Sequence, residues 1–255
     1  MAFRHLLFLI LLSVFISTTF SSPSLIRLPT GHRKFGFNDD LYCDSWRLSV
    51  ETNNAGGWST IPSQCQVFVQ NYMTGERYLS DSVIVANYSL AYASSVEIAT
   101  DGKDAWVFDI DETLLSNLPY YERHGFGSET FDEESFDEWV DLADARALPA
   151  SLKLYNQVKE MGFKIFLLTG RSEDQRNVTT KDLLFAGYSD WERLILRESS
   201  DEGKLAIVYK SEKRSELVNE GYRIRGNSGD QWSDLLGFAV AERSFKLPNP
   251  MYFIA

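Results

Sequence analysis

From Asp101-Gly102 onward the chain alternates short apolar runs with longer mixed segments, and this pattern restricts its fold more than any other feature. The runs are Ala105–Ile110 (AWVFDI), Lys164–Leu168 (KIFLL), Leu194–Leu196 and Leu205–Tyr209 (LAIVY). Continuous rather than alternating hydrophobicity suits strands buried on both faces, as in a parallel sheet covered by helices. The intervening segments carry helix signals. Pro149 to Met161 has proline at the first helical position, Leu152, Tyr155 and Val158 at helical spacing, and Gly162 just past the end. Glu173 to Ala186 opens with two acids at the electropositive end of a helix and stops at Gly187. A third helix is expected behind Ser211 as its cap, ending at Gly221. The fold class is therefore α/β, an open parallel sheet flanked by helices.

Residues 23–101 form an N-terminal extension, helical or irregular and packed on the core that spans 102–255. Residues 1–22 read as a secretory signal peptide: Arg4 precedes the apolar run Leu6–Ile16, and small polar residues lead to Pro23. The run is too short to span about 30 Å of hydrocarbon, so no membrane association is expected after cleavage. Secretion favours pairing Cys43 with Cys65. In the same compartment Asn87-Tyr88-Ser89 and Asn177-Val178-Thr179 are glycosylation candidates. The formal net charge of −11 argues against nucleic acid as a partner, because phosphate-backbone binding rests on clustered Lys and Arg. No heptad or long apolar surface stretch speaks for or against a homodimer.

The first apolar run ends in Asp109-Ile110-Asp111-Glu112-Thr113. Binding crevices of open α/β sheets lie beyond the carboxyl ends of the strands, and buried acids there require a cation or hydrogen-bond donors. Two later segments carry matching groups. Ile165–Leu168 stops at Thr169-Gly170-Arg171, a hydroxyl, a glycine and a cation; Gly229-Asp230-Gln231-Trp232-Ser233-Asp234 adds two acids. A lysine lies between them, at Lys204, Lys210 or Lys213, and Lys213 is chosen because the first turn of the expected third helix aims at the strand ends. Carboxylates, a hydroxyl and a lysine together suit Mg²⁺ beside a phosphoryl group.

This ordered set, Asp109-x-Asp111-x-Thr113, Thr169, a lysine, then Gly229-Asp230-x-x-x-Asp234, resembles the haloacid dehalogenase superfamily. More narrowly, FDIDETLLSN, LLTGRSEDQRNVT and GNSGDQWSDLLG resemble the plant class B acid phosphatases and vegetative storage proteins. The resemblance implies a Rossmann-like core with a small cap-type insertion, and a Mg²⁺-dependent acid phosphatase acting on small phosphomonoesters. It implies Asp109 as the nucleophile that becomes phosphorylated and Asp111 as general acid, then base. Thr169, the Gly170 amide and Lys213 would hold phosphoryl oxygens and offset charge. The metal would lie on the Asp109 side chain, the Asp111 carbonyl and Asp230, with Asp234 in support. The implied insertion, residues 120–147, is rich in acids and reads as an amphipathic helix packed by its aromatics. A cap in which Phe126, Phe131, Phe136 and Trp139 shape an entrance is the alternative. Storage without required catalysis is the second functional reading, and secretion or the vacuole the destination.

Overall fold

The computed structural model describes residues 39–255, so the expected signal peptide lies outside the described residues. The described residues group as one compact unit. Its centre is a parallel sheet in the order β5-β4-β1-β6-β7, formed by β1 (Asp104–Phe108), β4 (Lys164–Ser172), β5 (Arg193–Arg197), β6 (Arg223–Gly229) and β7 (Arg243–Lys246). All five residues of β1 are buried, and they alternate between two cores. Trp106 and Phe108 enter the larger core with Ile165 and Leu167; Ala105 and Val107 enter the smaller with Phe166, Leu168 and Ile195. Burial on both faces is the physical reason these strands read as unbroken apolar runs.

Among the described residues three α-helices precede the sheet: α1 (Asp39–Glu51), α2 (Gln66–Met73) and α3 (Glu76–Ala93). α3 packs on α6 (Pro149–Glu160), and Cys43 in α1 is disulfide-bonded to Cys65 just before α2, with Cα atoms 5.4 Å apart. Within the expected insertion lie α4 (Leu118–Arg123) and α5 (Glu133–Leu142). The base is closed by an antiparallel pair, β2 (Leu115–Ser116) with β3 (Arg146–Ala147). Both sequon asparagines are exposed, Asn87 on α3 and Asn177 on α7 (Arg176–Phe185). No helix among the described residues is long and apolar enough to cross a membrane.

One element differs from the sequence reading. Leu205–Tyr209 is not a strand: helix α8 runs Ala206–Asn219 and therefore starts before Ser211, which is inside it. The buried residues Ala206, Tyr209, Lys210, Arg214 and Leu217 recur at helical spacing, so the apolar run is the first turn of one amphipathic helix. Conversely, the polar segment Arg223–Gly229 is the strand beside β1. Arg223 and Arg225 bind the buried Asp104 carboxylate, and Ser228 accepts the Trp106 indole N–H at 3.0 Å. Gly226 leaves room for Trp106, whose ring would lie 2.4 Å from a Cβ there. Specific partners, rather than hydrophobicity, hold this strand in the sheet.

Candidate active site

β1, β4 and β6 end side by side, and each delivers its polar residues to one cleft of about 920 Å³. Asp109 follows β1, its backbone N–H donating to Ser228 O at 3.0 Å. Its side chain is buried, with Oδ1 2.5 Å from Lys210 Nζ; the same ammonium bonds Asp234 Oδ1. Asp230 follows β6, and Asp234 lies in the short helix α9 (Trp232–Leu235). Asp109, Asp230 and Asp234 each present a carboxylate oxygen within 4.8 Å of the others.

The second acid of the first motif has a different environment. Asp111 is clamped by Arg171, whose Nη2 donates to Oδ1 at 2.7 Å and Nε to Oδ2 at 3.1 Å. Asn117 Nδ2 donates to Oδ1 at 2.8 Å and Thr169 Oγ1 to Oδ2 at 3.4 Å. Arg171 is itself buried and steadied by Thr179 Oγ1 at 3.3 Å. Nothing lies within 4 Å of where a Gly170 Cβ would stand, so the cleft is open above that backbone. From the insertion, Phe131 and Phe136 line the cleft with Glu133 and Asp137, whereas Phe126 and Trp139 are buried away from it. The aromatics therefore divide between an entrance and packing.

Burial pushes Asp109 well above the carboxylate range, with Lys210 opposing and Asp234, Asp230 and Asp111 reinforcing. Burial likewise raises Asp230 to about 6, with Asp234 adding to it. At Asp111 burial is outweighed by the charge and hydrogen bonds of Arg171, and the pKa falls. Lys210 is held protonated because Asp109 and Asp234 outweigh its own burial. If ionised, the three clustered carboxylates exceed the one ammonium by two negative charges, a deficit that a divalent cation matches. The donors are all oxygens, which favours a hard ion over zinc or copper.

Lys213 is not part of this assembly. Its Nζ lies 3.3 Å from Glu216 and 3.5 Å from Asp201, while Lys204 binds Asp201 and Glu212. The error over the lysine and the error over the strand have one cause. A helix beginning at Ala206 puts Lys210 on the buried face beside Tyr209, whereas a helix beginning behind Ser211 excludes it. Asn117, Gln231, Asn249 and Tyr252 were also not read from the sequence as site residues. Asn249 Nδ2 and Gln231 Nε2 donate to Asp230 Oδ2 at 2.6 and 2.7 Å, and the Tyr252 hydroxyl lies 3.5 Å from Asp111 O. The neighbouring Gly229-Asp230 motif offered a clue to Gln231 alone.

A family profile described as HAD superfamily, subfamily IIIB (Acid phosphatase), matches residues 31–255. The chain belongs to that family. It is 52% identical over 257 residues to Acid phosphatase 1 of Solanum lycopersicum, covering 98% of this chain and 99% of that one. It is 37% identical to Vegetative storage protein 2 of Arabidopsis thaliana, with 96% of each chain covered. Among solved structures, the class C acid phosphatase from Bacillus anthracis matches with a TM-score of 0.62 and 25% identity, over 74% of this chain and 85% of that one. Enzymes of this kind act on small phosphomonoesters and generally use a divalent metal.

Proposed function

We propose that this acid phosphatase hydrolyses phosphate monoesters through a phosphorylated Asp109, with Mg²⁺ as its metal. The observation that carries the reading is the Asp109 carboxylate, buried at the cleft floor against Lys210 and beside Asp230 and Asp234. Asp109, Asp230 and the Asp111 carbonyl would hold the ion, and Asp234 supports through Lys210 and the backbone of Gln231, which donates to its Oδ2 at 2.9 Å. When bound, the ion would offset the negative charge gathered at Asp109, Asp230 and Asp234 and would shield nucleophile from phosphate. An Asp109 oxygen attacks phosphorus as the ester oxygen leaves. Asp111 protonates that oxygen, and in the second half-reaction takes a proton from the water that attacks the phosphoenzyme. The Gly170 amide would face the phosphoryl oxygens, the buried Thr169 supports from behind through Asp111 and the Arg171 N–H, and Lys210 replaces Lys213 as the cation beside them.

A structure of the Bacillus anthracis class C enzyme with tungstate bound, 25% identical and with a TM-score of 0.58, supports an oxyanion site in this scaffold. The disulfide supports an oxidising compartment, in line with secretion or the vacuole. Asn87 and Asn177 are both exposed glycosylation candidates, and the hydroxyl of each sequon is buried and hydrogen-bonded, Ser89 to Val85 O and Thr179 to Arg171. Storage is compatible with the relatives but does not require the complete acid set that this chain keeps. The test is turnover of phosphomonoesters across acidic pH with Mg²⁺ or with chelator, beside Asp109→Asn. Metal-dependent activity abolished by the substitution is expected; folded wild-type protein without turnover would overturn the reading in favour of storage.

A further inference from the structure

Asn117 stands at the N-cap of α4, immediately before Leu118-Pro119, where an asparagine ordinarily turns its side-chain oxygen onto the first free N–H groups of the helix. It makes no such bond. The side chain is instead fully buried and points towards the cleft, with Nδ2 donating to Asp111 Oδ1 at 2.8 Å. Its Oδ1 accepts the indole N–H of Trp139 at 3.0 Å, and Trp139 belongs to α5 of the insertion. The two contacts fix the amide without ambiguity. An indole nitrogen can only donate, so the carboxamide oxygen must face Trp139 and the NH₂ must face Asp111. Asn117 is held on its backbone side as well: its N–H donates to the buried Glu112 carboxylate, and its carbonyl accepts from Tyr120 and Tyr121 at 3.0 and 3.1 Å.

The consequence falls on Asp111. Its Oδ1 takes Asn117 and the shortest bond from Arg171, whereas Oδ2 takes longer contacts of 3.1 Å from Arg171 and 3.4 Å from Thr169. Both oxygens accept, Oδ1 through the shorter bonds, so Asn117 and Arg171 together set the orientation of the carboxyl group. We propose that Asn117 is a positioning residue that holds the Asp111 carboxyl in the orientation from which it serves the leaving group, and that Trp139 of the insertion fixes Asn117 in the required orientation. The proposal rests on Asp111 being the proton donor to the leaving group. The step is balanced: the phosphorus–ester oxygen bond breaks, Asp109 gains the phosphoryl group, and the carboxyl proton of Asp111 passes to the departing oxygen to give the alcohol.

The test uses kcat/KM, which reports the first phosphoryl transfer, for two esters: 4-nitrophenyl phosphate, whose phenolate leaves without a proton, and an alkyl phosphate, whose alkoxide cannot. A positioned general acid contributes about 10²–10⁴-fold. Asn117→Ala is expected to lower alkyl phosphate turnover about ten-fold or more and 4-nitrophenyl phosphate turnover by less than about three-fold. Trp139→Phe keeps the ring and removes the N–H; it should show the same bias to a smaller degree. In the Asn117→Ala background it should add nothing, because it acts through that amide. Equal loss on both esters from Asn117→Ala, or additive effects of the two substitutions, would overturn the inference. Asp111→Asn separates the two levels. If it shows no leaving-group bias, the donor assignment itself fails. If it shows strong bias and folded Asn117→Ala and Trp139→Phe show none, only the positioning role fails.

Discussion

Replacing Lys210 with methionine removes the one ammonium bonded to Asp109 and Asp234 while keeping most of the side-chain volume. Only 7% of the lysine side chain is exposed, so water cannot substitute for it. Breaking a buried, hydrogen-bonded ion pair by removing one partner costs about 3–5 kcal/mol. Losing a charge stabiliser at a site of developing negative charge costs about 10²–10³-fold in turnover. Lys210→Met is therefore expected to lower kcat/KM on 4-nitrophenyl phosphate by at least about a hundred-fold. Its stability should also become more pH-dependent in a defined sense. Burial already raises Asp109, and the lost lysine was the charge opposing that rise. A carboxyl with a raised folded pKa destabilises the protein once ionised; the penalty is absent below the unfolded value near 4 and complete above the folded one. With chelator present, the thermal midpoint of both proteins should fall as pH rises above about 4, and that of the variant should go on falling to higher pH, because wild type keeps the lysine that opposes the rise. Lys213→Met, by contrast, removes pairs with Glu216 and Asp201 and should leave kcat/KM within about two-fold. An inactive Lys213→Met beside a fully active Lys210→Met would refute the phase of α8 and the charge argument with it.

Two further outcomes test the scaffold. Cys43→Ser with Cys65→Ser opens a link of sequence separation 22 and should cost about 3 kcal/mol, seen as a lower thermal midpoint. Activity at room temperature should persist, since neither cysteine lines the cleft. Asp104, buried at the opposite end of β1, accepts from Arg223, the Ala99 N–H and Arg225, and Arg223 chiefly holds its pKa well below the ordinary value. Asp104→Asn should destabilise by about 3–5 kcal/mol at pH 7. In wild type the Asp104 contribution is complete above about pH 4 and is lost as pH falls through the depressed folded value. The difference between wild type and variant in urea melts should therefore shrink at strongly acid pH, and a difference constant with pH would refute the pairing.

The strands that were legible, Ala105–Ile110, Lys164–Leu168 and Leu194–Leu196, are those that bury both faces, for there hydrophobicity alone identifies the element. β6 is no apolar run, and its depth in the sheet was not legible, because Arg223, Arg225, Gly226 and Ser228 meet partners on β1. α8 was misread over its first turn because Leu205–Tyr209 is apolar enough for either structure, and only the later buried positions reveal its period. The acids after β1 and β6, and Thr169-Gly170 near the end of β4, were legible because a polar residue ending a buried apolar run is locally conspicuous.

The sequence by itself determined a doubly covered parallel sheet with acids, a hydroxyl and a glycine at its strand ends. These are properties of near neighbours along the chain: local hydrophobicity, turn residues and motif order. The tertiary structure alone decided that Lys210 rather than Lys213 joins Asp109, that Arg171 and Asn117 clamp Asp111, and that Trp139 reaches Asn117 from the insertion. Lys210 lies 101 residues from Asp109, and Arg171 lies 60 from Asp111. Such pairs are chosen by helix phase and strand register, which place a side chain to within a bond length only once the sheet and its helices have packed together.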